Sequence, residues 1–256
     1  LNKYFRAGIK ENLCINGTYC LLTVKPLAQI ITPNPGQFYM IGVGATYDPL
    51  LKRPFSFFRK TRYGIQFLYS VRGKGTLMMK NLKQGEVINI VGPLGNGYPL
   101  PERNSLPVFV AGGTGIASVF SLFQRLSKKA CLLYGAKCRE DLIMLNGMRA
   151  IKERLILCTD DGSFGERGTA VDIMKKFLSK KTASNSMPVI YACGPKPMLE
   201  AISKIALEKD LKGYISLEEN MACGFGACLG CAVKTIHGYK RVCKEGPVFT
   251  IEEIVW

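Results

Sequence analysis

The stretch MACGFGACLGCAVKTIHGYKRVC, Met221–Cys243, holds four of the chain's ten cysteines: Cys223, Cys228, Cys231 and Cys243. Their spacing is C-x4-C-x2-C with a fourth Cys eleven residues on. The first triplet has the plant-type [2Fe–2S] spacing. Gly224, Gly226 and Gly230 lie among the thiols. A loop that brings several thiolates and backbone N–H groups onto one small inorganic core must curl tightly, and glycine permits that. The four cysteines are therefore candidate ligands of a [2Fe–2S] cluster. Structural zinc is the alternative. Only one pair has the C-x2-C spacing, however, and the single histidine, His237, sits in IHGYK, which reads as a hairpin turn. A disulfide framework belongs to short secreted chains, and this one has 256 residues.

Upstream of that loop the pattern alternates strand and helix. Pro107–Ala111 reads as a buried strand, followed by Gly112-Gly113-Thr114-Gly115 and an apolar helix over about Ile116–Lys128. Further strands are expected at Ala130–Tyr134, Leu155–Cys158 and Val189–Ala192, with helices over Asp141–Glu153, Gly168–Lys180 and Lys196–Lys209. Apolar strands alternating with amphipathic helices predict a doubly wound parallel sheet covered on both faces. Ligands of such sheets sit beyond the carboxyl ends of the strands. Gly113, Thr114 and Gly115 stand at one such end, although AGGTGIAS is not the G-x-G-x-x-G fingerprint. Cys193, Gly194 and Pro195 stand at another, where a buried inert thiol is the competing reading. Asp160-Asp161-Gly162 reads as a solvated turn.

The first hundred residues read instead as short strands with Pro/Gly punctuation: Cys20–Val24, Gln37–Val43, Pro54–Phe58, Ile65–Val71 and Glu86–Val91. They predict a small antiparallel β-barrel. Thr76–Asn81 is the one plausible helix there, and Gly92–Pro101 reads as a linker that sustains neither helix nor strand. Two motifs suit a phosphate. Arg53-Pro54-Phe55-Ser56 offers a planar donor fork and a hydroxyl. Gly73-Lys74-Gly75-Thr76 opens the helix, where free N–H groups favour an anion. Together they suggest a pyrophosphate-bearing flavin.

The order of these motifs resembles that of the ferredoxin–NADP reductase superfamily over essentially the whole chain. The ACGFGACLGCAV loop, the trailing Val242–Phe249 and TDDGSFGERG (Thr159–Gly168) resemble its branch of dihydroorotate dehydrogenase B electron-transfer subunits. The resemblance implies an FAD-binding barrel at 1–103, an NAD-binding α/β domain at 104–212 and a [2Fe–2S] module at 213–256. It implies that Arg53, Pro54, Phe55 and Ser56 hold the flavin of FAD. Leu68, Tyr69 and Ser70 would line its ribityl or diphosphate arm, and Gly75 and Thr76 would cap the phosphates. Gly113, Thr114, Gly115, Gly194 and Pro195 would approach the nicotinamide dinucleotide, and Cys193 would lie near the hydride path as the catalytic residue. Electrons would come from an FMN-containing dihydroorotate dehydrogenase catalytic subunit, in a heterotetramer of two of each, and pass to NAD+ in pyrimidine biosynthesis. The superfamily's C-terminal aromatic stack on the flavin is not assigned to Trp256, because the chain continues into the cluster module. Lys137 and Arg139 suit a 2′-phosphate and Glu140 and Asp141 a free ribose, and the resemblance favours NAD. The nearest rival is the small subunit of a sulfide dehydrogenase or electron-bifurcating ferredoxin–NADP(H) oxidoreductase.

Composition narrows the classes further. A hydrophobic share of 47% describes a folded globular chain. The formal charge of +16 invites nucleic acid, but Lys and Arg are scattered and no recognition signature accompanies them, so a zinc-containing nucleic-acid-binding module is disfavoured. The longest apolar run, Leu106–Phe120, stops short of a membrane span. LNKYFRAGIKENL lacks the apolar core of a secretory signal, and ten thiols suit a reducing cytoplasm. The chain starts at Leu1 instead of Met, so residues preceding it, or an unusual start, are expected.

Overall fold

The computed structural model describes residues 3–43, 48–145, 153–180 and 186–256. The chain divides into two compact units: Leu1–Gly97 with Glu218–Val233 and Tyr239–Pro247, and Tyr98–Leu217 with Lys234–Gly238 and Val248–Trp256.

The first unit is built on seven antiparallel strands curled into a half-barrel: β1 (Tyr4–Cys14), β2 (Tyr19–Pro26), β3 (Phe38–Ile41), β4 (Arg53–Ser56), β5 (Arg59–Thr61), β6 (Gly64–Ser70) and β7 (Val87–Leu94). Their order is β4-β3-β7-β1-β2-β6-β5, and one short helix, α1 (Lys74–Lys80), leaves β6. Phe5, Ile9, Leu22, Val24, Tyr39, Ile41, Phe67, Tyr69 and Ile90 fill the interior. Truncating a ring such as Phe67, wholly buried, costs about 3–5 kcal/mol.

One strand was not foreseen from the sequence, and one expectation is corrected. The N-terminal segment is a strand, β1, and lies at the centre of the sheet. Phe5, Ala7 and Ile9 point inward while Tyr4, Arg6 and Lys10 face solvent, the period-2 pattern of a one-sided strand. Gly92-Pro93-Leu94, read as linker, belongs to β7. Its pairing with β1 ends at Val91, and the pairing with β3 shifts register between Phe38 and Met40. Proline lacks the N–H of a regular ladder, and an irregular ladder end is where it is tolerated.

The second unit is an α/β sheet. Its elements are β8 (Leu106–Gly112), α2 (Ile116–Leu126), β9 (Cys131–Ala136), β10 (Leu155–Thr159), β11 (Glu166–Arg167), α3 (Ala170–Lys180), β12 (Pro188–Cys193), α4 (Lys196–Glu208) and β13 (Gly213–Ser216). Outside both large sheets, β14 (Ala232–Thr235) and β15 (Gly238–Arg241) form the expected hairpin with His237 exposed at its turn. Then β16 (Val248–Thr250) returns to the large sheet, whose order is β11-β10-β9-β8-β12-β13-β16. The pairs are parallel except β13–β16, so the sheet is mixed and not wholly parallel. An aromatic column runs along it: buried Phe109 stacks on buried Tyr191 at 5.0 Å, and Tyr191 on half-buried Tyr214 at 5.5 Å. Tyr98 and Pro99 are tied to this sheet. The Tyr98 hydroxyl bonds with Ser118 Oγ at 3.2 Å, and the Tyr191 hydroxyl donates to the Pro99 carbonyl at 3.1 Å.

The helix expected over Asp141–Glu153 is not found at its start. A 3-10 turn covers Arg139–Asp141, Leu142–Leu145 carry no α-helix, and 146–152 lie outside the described residues.

Candidate functional site

The cysteine loop rests on the half-barrel. Gly224 has φ +78°, and a Cβ there would stand 2.4 Å from Met40 Cγ on β3. Gly226 has φ +91°, with Lys244 closing on it from the far side. Gly230 needs no such freedom; Leu229 takes the positive φ, +59°, in its place. The loop brings its thiols together in two pairs. Backbone N–H groups of Ala227 and Cys228 approach Cys223 Sγ at 3.3 and 3.5 Å, and the Cys223 and Cys228 side chains interact. The N–H of Cys243 approaches Cys231 Sγ at 3.4 Å, and those two thiols also interact. Burial would raise the Cys223 pKa, but the N–H groups of Cys228, Phe225 and Ala227 bring it down to about 6. Burial and the neighbouring Cys231 push Cys243 up to about 12. Among the described residues no three His, Cys, Asp or Glu side chains converge as on a single ion. Two thiol pairs with N–H groups directed at sulfur match the donor set of a two-iron cluster, which takes four cysteine thiolates.

One residue that braces this loop escaped the sequence reading. Arg241 donates from Nη1 to the Gly226 carbonyl at 2.9 Å and from Nε to Glu245 Oε2 at 3.0 Å, and its Nη2 pairs with Glu245 Oε1. This clamp holds the Gly226 carbonyl from between the third and fourth cysteines. The only sequence signal is an Arg and a Glu four residues apart around Cys243. Phe225 and Leu229, 60% and 61% exposed, form the loop's outer lip.

On the half-barrel, Arg53, Pro54, Phe55 and Ser56 are half-buried on β4, an edge strand. The Arg53 guanidinium lies directly over Gly75: a Cβ at Gly75 would stand 2.5 Å from Arg53 Nε. The structure thus unites the two phosphate-suited motifs. Thr76 Oγ1 accepts from the N–H groups of Arg72 at 2.9 Å and Gly73 at 3.1 Å, so those donors are turned onto the protein. Phe55 meets Tyr69 edge-on at 5.7 Å. Leu68 and Tyr69 are buried, the Tyr69 hydroxyl donating to Asn12 Oδ1 at 3.0 Å, and Ser70 alone of the three is partly open.

In the α/β sheet, chain order runs outward from β8 through β9 to β10 and then jumps back to β12 on the other side of β8. The crevice beyond a strand pair where the order reverses is where such sheets bind ligands. Gly113–Gly115 follow β8 as a 3-10 turn, and Cys193-Gly194-Pro195 end β12. The two turns touch. A Cβ at Gly115 would lie 2.1 Å from the Cys193 carbonyl oxygen, and one at Gly194 would lie 2.4 Å from Met198 Cε. Gly113, at φ +52°, has open space before it. Cys193 is wholly buried, so its thiol is packed and not presented to an open face. Pro195 precedes α4 as its N-cap. At the end of β9, the Arg139 guanidinium lies over the Phe164 ring at 5.3 Å, and the Arg139 N–H donates to Ser163 Oγ at 2.9 Å. Asp160, Asp161 and Gly162 form the turn expected of them.

Two family models and several known proteins match the chain. Residues 218–255 match the iron–sulfur cluster binding domain of dihydroorotate dehydrogenase B, and 109–204 match the oxidoreductase NAD-binding domain. The chain is 39% identical over 232 residues to the dihydroorotate dehydrogenase B (NAD(+)) electron transfer subunit of Desulforamulus reducens, covering 87% of each. It is 38% identical over 254 residues, 97% of each, to the Aquifex aeolicus protein named as a homolog of that subunit. Among solved structures, that of an NADH-dependent reduced ferredoxin-NADP oxidoreductase, described for flavin-based electron bifurcation, has a TM-score of 0.82 at 24% identity, covering 98% of this chain and 90% of that one. A ferredoxin NADP+ reductase from Neisseria gonorrhoeae with bound FAD and NADP has a TM-score of 0.67 at 17% identity, covering 87% and 96%. At such identities the structural likeness speaks for the fold alone.

Proposed function

The chain belongs to the family of dihydroorotate dehydrogenase B electron-transfer subunits, and on that premise we propose that it passes electrons from an FMN-containing dihydroorotate dehydrogenase subunit to NAD+ in pyrimidine biosynthesis. Its cofactors are FAD, a [2Fe–2S] cluster and NAD(H). The observation that carries the proposal is the pairing of Cys223 with Cys228 and of Cys231 with Cys243, which lies beyond the β14–β15 hairpin, within the half-barrel unit. When bound, the cluster supplies single-electron transfer, the nicotinamide hydride transfer, and the flavin the exchange between them.

The chain's own residues bind and orient these groups. In this reading the four cysteines hold the two irons, with the N–H groups of Ala227, Cys228 and Cys243 stabilising sulfur charge. Arg53, set over Gly75, gives a diphosphate a planar pair of donors, and Ser56 on β4 and Ser70 at the end of β6 add hydroxyls. Gly113, Thr114 and Gly115, with Gly194 and Pro195, let a dinucleotide approach the backbone at the strand-order reversal. Cys193 serves by packing there, its carbonyl against Gly115. The FAD and cluster elements then fall in the unit of 1–97, 218–233 and 239–247, and the nicotinamide elements in the unit of 98–217, 234–238 and 248–256. The apolar lip of Phe225 and Leu229 beside the thiols suits docking of the catalytic subunit, in a heterotetramer of two of each chain in the cytoplasm. No helix among the described residues is long and apolar enough to cross a membrane.

Anaerobic affinity purification from the native host tests the pathway. A co-purifying FMN protein that makes NADH from NAD+ and dihydroorotate is the expected result. A large flavoprotein with several clusters in its place would overturn the pathway and leave the cofactor sites standing.

A further inference from the structure

Two cysteines outside every site described above face each other on the β1–β2 hairpin. Cys14, near the end of β1, is register partner of Cys20 on β2, and their sulfurs are 3.2 Å apart. The Ile15 N–H donates to the Tyr19 carbonyl at 2.8 Å, which makes 15/19 a hydrogen-bonded pair and 14/20 the next, non-hydrogen-bonded one. In such a pair the Cα atoms are about 4.5 Å apart and the side chains closest, within the separation that a disulfide spans. No backbone movement is needed to join them.

The two thiols are unequal. Cys14 is exposed, whereas Cys20 is fully buried. Burial, reinforced by Cys14, raises the Cys20 pKa to about 11, and the nearby Lys80 charge opposes that rise. The surroundings are braced. Lys80 Nζ donates to the Gly17 carbonyl in the hairpin turn at 3.3 Å. Asn12 Nδ2 lies within hydrogen-bonding reach of the carbonyls of Met79, Lys80 and Leu82, at 2.8–3.2 Å. The hairpin end is thereby held against the C-terminal end of α1, and Cys20 sits opposite Tyr69 on β6.

We propose that Cys14 and Cys20 form a reversible dithiol–disulfide site, oxidised by hydroperoxides through the exposed sulfur of Cys14 and closed by Cys20. Cys14 attacks the peroxide; the O–O bond breaks, an S–O bond forms, and water or an alcohol leaves. The Cys20 sulfur then displaces the sulfenic oxygen, which departs as water with the Cys20 proton. Two thiols lose two hydrogens and one peroxide is reduced. An external dithiol reverses the step by attacking Cys14, the sulfur open to solvent, and releasing Cys20.

Peptide mapping of the cofactor-loaded protein tests this directly. No Lys or Arg lies between the two cysteines, so one tryptic peptide carries both. After hydrogen peroxide and then iodoacetamide, that peptide is expected to lose both alkylation sites and two hydrogens, and to regain two carbamidomethyl groups after dithiothreitol. In C20A, Cys14 should accumulate sulfenic acid that dimedone traps; in C14S, where only an exposed side chain changes, Cys20 should stay unoxidised. Wild-type protein in which Cys14 advances to sulfinic acid while Cys20 remains alkylatable would overturn the proposal, as would a peptide that stays doubly alkylated.

Discussion

In the turn after β8, Gly115 has ordinary helical backbone angles, φ −58° and ψ −20°, yet a Cβ there would lie 2.1 Å from the Cys193 carbonyl oxygen. In the cysteine loop, Gly224 and Gly226 have φ +78° and +91°. The first turn uses glycine for closeness, letting two strand ends approach until their backbones touch. The second uses it for direction, bending the chain so that thiols and N–H groups face one point. The sequence letters are alike in the two places. The penalties for adding a methyl group differ in kind: at Gly115 it meets a carbonyl oxygen and pushes the two strand ends apart, whereas at Gly224 and Gly226 it strains left-handed dihedrals and meets the side chains of Met40 and Lys244.

The largest effect is expected at a thiol. Cys228→Ser should abolish the cluster, read as lost iron and visible absorbance, and with it partner-linked electron transfer. NADH-to-dye turnover should survive, since Gly113–Gly115 belong to the other unit. Equal loss of both activities would falsify the separation of the two loops. Next comes Gly115→Ala, where the forced displacement costs about 1–3 kcal/mol and should lower kcat/KM for NADH by about 10- to 100-fold with iron content unchanged. An unaltered kcat/KM would mean that the turn yields freely, and the contrast would collapse. Arg241→Ala removes the bond to the Gly226 carbonyl; iron loss to a chelator should quicken by about 10-fold, in the range for residues that orient metal ligands. Smallest is Gly113→Ala. Its φ of +52° costs about 1–2 kcal/mol, but no atom stands within 4 Å of the new methyl. The NADH KM should move less than with Gly115→Ala, and the opposite ranking in steady-state kinetics would reverse the steric argument.

Local signals were legible where chemistry follows chain spacing. The cysteine ladder, RPFS, the GGTG turn and the CGP turn all sit where strand and loop patterns placed them, because each depends on neighbours a few residues away. Strand β1 escaped because Ala7 and Gly8 dilute its apolar alternation and charges occupy its outer face. The final residues of β7 escaped because Gly-Pro signals a break wherever it occurs, and only the ladder irregularity opposite Tyr39 makes it admissible. Along β6 the pattern marked Leu68–Ser70 as a unit but did not separate the buried Leu68 and Tyr69 from the partly open Ser70.

By itself the sequence determined the candidate ligand set, the change from strand-rich to alternating architecture and the candidate phosphate and dinucleotide turns, since thiol chemistry and hydrophobic period are written in short windows. The tertiary structure alone decided that Arg53 lies over Gly75, that Arg241 reaches Gly226, that β12 returns beside β8 so two glycine turns meet, and that Cys14 faces Cys20. Each of these is a contact between segments separated along the chain or a matter of ladder register, and its geometry is set by how the sheets twist and pair, which no local pattern specifies.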